Sequence, residues 1–307
     1  MRVDPTYITN LVGSLDQTQA TEQQLSEELS SGTSVTSLSQ NPVAAGENVL
    51  LLSQIQQEDS FTQSSNLVTG QLQVADSSLG SVVSELTQAV SLATSANNGT
   101  LNASDVQSIG NQISGILNEV QSLANTTFEG QYIFGGGQSS TPPFSTSVAT
   151  ATSPAVTTYN GGATANYLQL SNGQKIQLNV PGSQIFLGSG VNSVFGTLNA
   201  LVADYSSGTP NVGQAVSDTE SLNTALNYVS QQRVTIDNSI NQVSAATTSA
   251  TQEQTQLTSA QNDLIQADIP TVSTQLSLTE TQQTALEDMI AQLESSSNDL
   301  FDKLQVG

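Results

Sequence analysis

The 307-residue sequence contains no Cys, no His and no Trp. Without imidazole or thiol there is no ordinary general base, no thiolate nucleophile and no His or Cys metal ligand. Carboxylates alone remain for acid–base or cation chemistry, and a disulfide framework is excluded. Basic residues are almost as scarce, with Lys and Arg numbering 4 against 26 Asp and Glu, a net charge of −22. The four, Arg2, Lys175, Arg233 and Lys303, are scattered from end to end. Neutralising phosphates takes clustered Lys and Arg, so neither nucleic acid nor an anionic membrane surface is expected as a partner. Aromatic residues make up 4% and apolar residues 36%, too lean for a large globular core but enough for thin seams between long helices. The charged fraction of 10% also sets the chain apart from highly charged disordered proteins. No apolar run reaches the ~18 residues of a membrane span, and Met1-Arg2-Val3-Asp4-Pro5 lacks an apolar h-region. Neither membrane insertion nor a cleavable signal is therefore expected.

What the sequence does have is heptad spacing at both ends. Leu11, Leu15, Leu25 and Leu29 fit alternating steps of four and three, with Asp4-Pro5 as a start and Gly32 as a stop. Asn41-Pro42 opens a second helix, in which Leu79, Val83, Leu86, Val90 and Ala93 fall on one seam. Asn98-Gly99-Thr100 breaks it as a turn, and Ile109, Ile113, Ile116, Val120 and Leu123 form the next seam, ending near Asn125. Leu222, Leu226, Val229, Ile236, Ile240 and Val243 share a frame that continues through Ala250 to Leu257 and Leu264. The frame then slips by one residue at Asp268-Ile269-Pro270, a fresh cap and helix start. Val272, Leu276, Leu286, Ile290, Leu293, Leu300 and Leu304 fit the new frame. Helices over 42–96 and 215–267 would each run about 80 Å, a match in length that suggests an antiparallel pair.

Residues 139–188 read differently. Thr141-Pro142-Pro143 opens the segment, and Tyr167-Leu168-Gln169-Leu170, Asn172-Gly173 and Lys175 to Val180 read as strand, turn and strand. Gly135-Gly136-Gly137 lacks the Gly-Lys-Ser/Thr of a phosphate loop and reads instead as a flexible hinge. Asn98, Asn102 and Asn125 each begin an Asn-X-Ser/Thr triplet that turn or cap roles explain. The pairs Glu27-Glu28, Glu58-Asp59 and Glu287-Asp288 read as solvated helix faces, and no calcium-loop pattern occurs.

The collected motifs resemble those of the flagellin superfamily, and within it the hook-associated protein 3 family. Leu29-Ser30-Ser31-Gly32 resembles the end of the family's first helix, and Gln40-Asn41-Pro42-Val43-Ala44-Ala45 its Asp-Asp-Pro-Val-Ala-Ala turn. Asn98-Gly99-Thr100 matches an Asn-Gly-Thr turn. Ala124-Asn125-Thr126, followed by Gly130-Gln131-Tyr132-Ile133-Phe134, resembles Ala-Asn-Thr and Gly-Arg-Tyr-Leu-Phe, with Gln131 replacing Arg. Ala267-Asp268-Ile269 resembles Ala-Asp-Tyr before the last helix, although Pro270 departs from the pattern.

The residues and the resemblance together set out a mainly α fold: a long antiparallel helical bundle or coiled coil formed by the N- and C-terminal segments, with a small inserted β domain. The expected divisions are an assembly domain from 1–40 and 268–307, a rod domain from 41–138 and 189–267, and the β insert 139–188. The resemblance implies a structural subunit of the hook–filament junction rather than an enzyme, with no cofactor, metal or catalytic residue. It also implies export by the flagellar type III pathway. The implied partners are other copies of the chain, a second hook-associated protein, flagellin and an export chaperone. Leu11, Leu15, Leu25, Leu29, Leu286, Ile290, Leu293, Leu300 and Leu304 are the expected assembly stripes, their burial completed by neighbouring copies. Gly32, Asn41, Pro42, Asn125, Gly130, Tyr132, Phe134 and Asp268 are the motif turns. Two other readings stay open, a flagellin forming the filament itself and an adhesin on a helical stalk.

Overall fold

A computed structural model of the chain describes residues 5–34, 41–147, 156–169, 175–177, 179–188 and 193–305. Among them are six α-helices: α1 (Pro5–Ser31), α2 (Pro42–Ala96), α3 (Ala103–Ala124), α4 (Val194–Ser206), α5 (Val212–Ile265) and α6 (Ile269–Gln305). Three two-stranded antiparallel sheets lie between α3 and α4: β1 (Thr127–Phe128) with β2 (Gln131–Tyr132), β3 (Phe144–Thr146) with β4 (Thr157–Tyr159), and β5 (Tyr167–Gln169) with β6 (Lys175–Gln177). Gln40 and Asn172-Gly173 lie outside the described residues, as do the side chains of Leu300, Lys303 and Leu304. None of the described helices is long and apolar enough to cross a membrane.

The long helices start and stop where cap chemistry places them. Asn41 accepts from Ala44 N–H at 3.1 Å and Asn102 from Asp105 N–H at 2.9 Å, each satisfying an orphan donor of the first turn. Asp268 accepts from Thr271 N–H at 3.4 Å and Thr271 Oγ1 at 2.7 Å, and so starts α6. At the other end of α1, Gly32 takes φ +70°, the left-handed stop that a Cβ disfavours.

By its contacts the chain divides into two compact units, residues 1–58 with 252–307, and residues 59–251. In the first, α1 packs on α6, with Leu25 buried against Ala267, Val272 and Leu276. The connections on either side of that contact are tied by a Thr33–Gln266 bridge and by hydrogen bonds from Ser34 N to the Ile265 carbonyl and from Ala267 N to the Gly32 carbonyl. Gln261 Nε2 donates to Asn48 Oδ1 at 2.8 Å, joining α5 to α2.

The second unit holds one continuous core. Its α2 seam is Val68, Leu72, Ala75, Leu79, Val82, Leu86, Ala89, Ala93 and Ala96, alternating by four and three. The sequence reading put Val83 and Val90 on this seam; they are half-buried on its flank, while Val82 and Ala89 are fully buried. Both sets satisfy the same spacing, and the choice between them belongs to the elements on either side. Across α2 and α5, Arg233 forks onto Asp76 at 2.8 and 3.0 Å, and Asp76, by hydrogen bond, raises the guanidinium pKa further. The helix α4, absent as a separate element from the sequence reading, packs against α3 and contributes Phe195, Leu198, Leu201 and Tyr205 to the core.

The described residues of 139–188 do not have a core to themselves. Phe144, Ile176, Val180, Ile185 and Phe186 belong to the same buried cluster as the helices. Phe144 meets Phe186, Phe195 and Tyr159 with ring centroids 5.1–5.3 Å apart, and Phe195 comes from α4. With apolar content as lean as this, the few aromatic rings go where two kinds of element can share them.

The Gly135–Gly137 stretch is also not the loose hinge its composition suggests. Gly135 and Gly136 are buried, Gly162 N donates to the Gly135 carbonyl at 2.8 Å, and a Cβ on Gly136 would stand 1.9 Å from the Gly162 carbonyl oxygen. Two backbones touch here, which only glycine permits.

Candidate assembly surface

Four of the motif residues lie in one knot at the end of α3. Asn125, expected as a turn residue, is the C-cap of α3. Its side chain also grips the backbone of Phe144 from both sides, Nδ2 donating to the carbonyl and Oδ1 accepting from the N–H, both at 2.9 Å. An asparagine amide can do this because its donor and acceptor match a peptide unit. Gly130 (φ +80°) and Glu129 (φ +50°) both take left-handed backbone in the two-residue turn joining β1 to β2, as such a hairpin requires. Tyr132, half-buried, ends that hairpin, and Phe134 lies buried edge-on to Phe186 at 5.4 Å. Phe134 also accepts a hydrogen bond at its carbonyl from the Tyr159 hydroxyl at 3.0 Å, and burial raises the Tyr159 pKa. Gly32, Asn41, Pro42 and Asp268 are, by contrast, helix starts and stops in the other unit. The motif turns therefore position backbone and carry no shared chemistry.

The expected assembly stripes divide once the helices are packed. Leu11 and Leu25 are 8% and 7% exposed, already covered within the chain, Leu25 by Val272 and Leu276 of α6. Leu15, Leu286, Ile290 and Leu293 are half-buried. Of the described stripe residues only Leu29 is exposed. Periodicity identifies a stripe, but one stripe serves one partner, and the intramolecular helix takes it first.

A second apolar line went unread in the sequence. Val43 is 78% exposed and Leu50 59%, seven residues apart on one side of α2, with Gly46 between them and exposed Val49 alongside. Ala44, Ala45 and half-buried Leu51 and Ile55 point the other way and make the internal seam of this stretch. Leu278 and Met289 on α6 and Tyr7 and Val12 on α1 are likewise exposed in the same unit. Apolar side chains gathered along a helix line outside its internal seam mark an interaction surface. The signal was available in the run Val49-Leu50-Leu51-Leu52, which is too apolar for a helix with one buried face.

Of the carboxylate pairs, Glu287-Asp288 is exposed as expected, as are Glu27 and Asp59, but Glu28 and Glu58 are buried. Glu28 accepts from Gln24 Nε2 one turn away at 2.9 Å. Among the described residues no three carboxylates gather into a set that could hold a metal ion.

Comparison with known proteins gives this architecture its relatives. Residues 7–139 match the family described as the bacterial flagellin N-terminal helical region. Flagellar hook-associated protein 3 of Salmonella typhimurium is 29% identical over 181 residues, covering 59% of this chain and 54% of that protein. The same protein of Escherichia coli matches at the same identity and coverage. The chain thus spans about half the length of the curated relatives it matches. Among solved structures, a putative flagellar hook-associated protein from Vibrio parahaemolyticus superposes with a TM-score of 0.63 at 18% identity, over 74% of this chain and 100% of that one. The flagellar hook associated protein-3 from Legionella pneumophila gives 0.61 at 14% identity, over 70% and 98%. At these identities the structures establish a shared fold. Over residues 7–139 the chain is similar to the bacterial flagellin N-terminal helical region, and over 59% of its length it is similar to flagellar hook-associated protein 3.

Proposed function

We propose that this chain is a structural subunit of the bacterial flagellum that sits at the junction between hook and filament. It associates with copies of itself through its terminal helices and the exposed line of early α2. The observation that carries the reading is the similarity to flagellar hook-associated protein 3 over 181 residues. The exposed Val43–Leu50 line in the unit containing both chain ends supports self-association. A second hook-associated protein on the hook side, flagellin on the filament side and an export chaperone beforehand are the partners this role calls for. Delivery runs through the flagellar type III pathway to the cell exterior. The work is mechanical and needs neither cofactor nor catalytic residue.

Deleting the gene tests the proposal directly. Electron microscopy should show intact hooks without filaments, and flagellin should accumulate in the medium. Filaments of normal length on the deletion strain would overturn it. If the chain were instead the filament protein, it would dominate sheared filaments in copy number.

A further inference from the structure

One polar cluster in the second unit takes no part in the proposed assembly. The buried Tyr205 on α4 donates its hydroxyl toward the Ala93 carbonyl (3.2 Å) and Asn97 Oδ1 (3.0 Å) at the end of α2. Asn97 Nδ2 in turn donates to Thr219 Oγ1 on α5 at 3.1 Å. Beside Tyr205, Asp204 has its Oδ2 shut off from solvent with no hydrogen-bond partner. The group facing it is Asp218, in the second turn of α5. Asp218 Oδ1 is already engaged by Gln214 Nε2 at 3.0 Å.

Two ionised carboxylates are acceptors only, so neither can satisfy the other. Among the described residues, no Lys or Arg acts on Asp204. α2 presents the amide of Asn97, and α3 comes up to Tyr205 with Gly110. Tyr205 is also a titratable neighbour, a phenol whose pKa burial pushes up from its ordinary value. What the pair lacks is a donor, and a single proton would supply one.

We propose that Asp204 carries a proton on its buried oxygen and donates it to Asp218, an acid-closed clasp fastening α4 to the first turns of α5. With the proton present, the buried Oδ2 gains its partner and the repulsion vanishes; without it, two negative charges meet across a partly buried gap. Burial first, and Asp218 second, push Asp204 up to about 6, against 3.8 for an ordinary carboxyl. A folded-state pKa above the unfolded value means that the folded chain holds the proton to higher pH. The clasp's contribution is therefore fully present below 3.8 and is lost as pH rises through about 6. That is opposite in sign to a carboxylate held by a salt bridge.

Thermal unfolding of the full chain at about pH 4.5 and about pH 7.5 tests this through the linkage between proton binding and stability. Asp204→Asn places an amide donor opposite Asp218 at every pH. It should match the wild type at the acid end and melt about 2–4 °C higher at the neutral end. Glu220→Gln, which removes an exposed charge two residues beyond Asp218, should follow the wild type at both. If Asp204→Asn does not fold, Asp218→Asn supplies the donor from the other side and should behave alike. Parallel behaviour of wild type and Asp204→Asn would overturn the clasp, as would an equal gain from Glu220→Gln. So would an Asp204 carboxyl carbon that titrates at the ordinary value by NMR. Stabilisation of the wild type by added Mg²⁺ at neutral pH, lost in Asp204→Asn, would also overturn it, by showing that a cation bridges the pair.

Discussion

Phe144→Ala removes a ring that is 1% exposed and touches Phe186, Phe195 and Tyr159. A buried Phe→Ala change costs about 3–5 kcal/mol in transfer and cavity terms. Aromatic pairs add about 0.5–1.5 kcal/mol each beyond burial, although three pairs on one ring are not additive. The backbone of Phe144 stays clamped by Asn125, so the site has little freedom to collapse into the hole. A loss at the upper end, about 4–5 kcal/mol, is expected. With a urea slope of about 2 kcal/mol/M, the unfolding midpoint of the second unit should fall by about 2 M. Because the chain divides into two compact units, the readout should be hydrogen exchange of the α3 and α4 amides alongside far-UV circular dichroism. Phe144 sits on a strand, yet its loss should loosen helices. Unchanged α3 and α4 protection would show that the strand segment is a detachable insert and would refute the shared core.

Gly110→Ala should destabilise by about 1–2 kcal/mol despite Ala's better helix propensity, because overpacking a tight contact outweighs that gain. Its Cβ would lie 3.1 Å from Tyr205 Cβ and 3.3 Å from the Tyr205 carbonyl carbon. Gly115→Ala on the same helix, with nothing within 4 Å, should instead stabilise by about 1 kcal/mol; equal effects in a thermal melt would contradict the close α3–α4 approach. Val43→Ser with Leu50→Ser should leave the fold within about 0.5 kcal/mol while weakening self-association, as read by sedimentation at rising concentration. Unaltered association would remove early α2 from the assembly surface.

Helix starts and stops were legible because they depend on neighbours in the chain. Asn41, Asn102 and Asp268 can reach the N–H groups they cap wherever the helix goes, and Gly32 supplies its left-handed backbone locally. The seam of α3 was legible for a related reason: Ile109, Ile113, Ile116 and Val120 fall on one face of any helix and had to be buried together. Asn125 was recognised as a helix end, but its grip on Phe144 spans nineteen residues of sequence and no local rule contains it.

Composition and periodicity alone determined that this chain is built from long helices and has no imidazole or thiol chemistry. Tertiary structure decided how each stripe is used. It chose Val82 over Val83 on α2, spent Leu11 and Leu25 inside the chain, and left Val43 and Leu50 facing out. It also drew the strand segment into the helical core and set Asp204 opposite Asp218. The reason is common to all of these. A 3.5-residue repeat fixes which side chains share a face, but which face is covered, and by what, depends on neighbours far away in the chain.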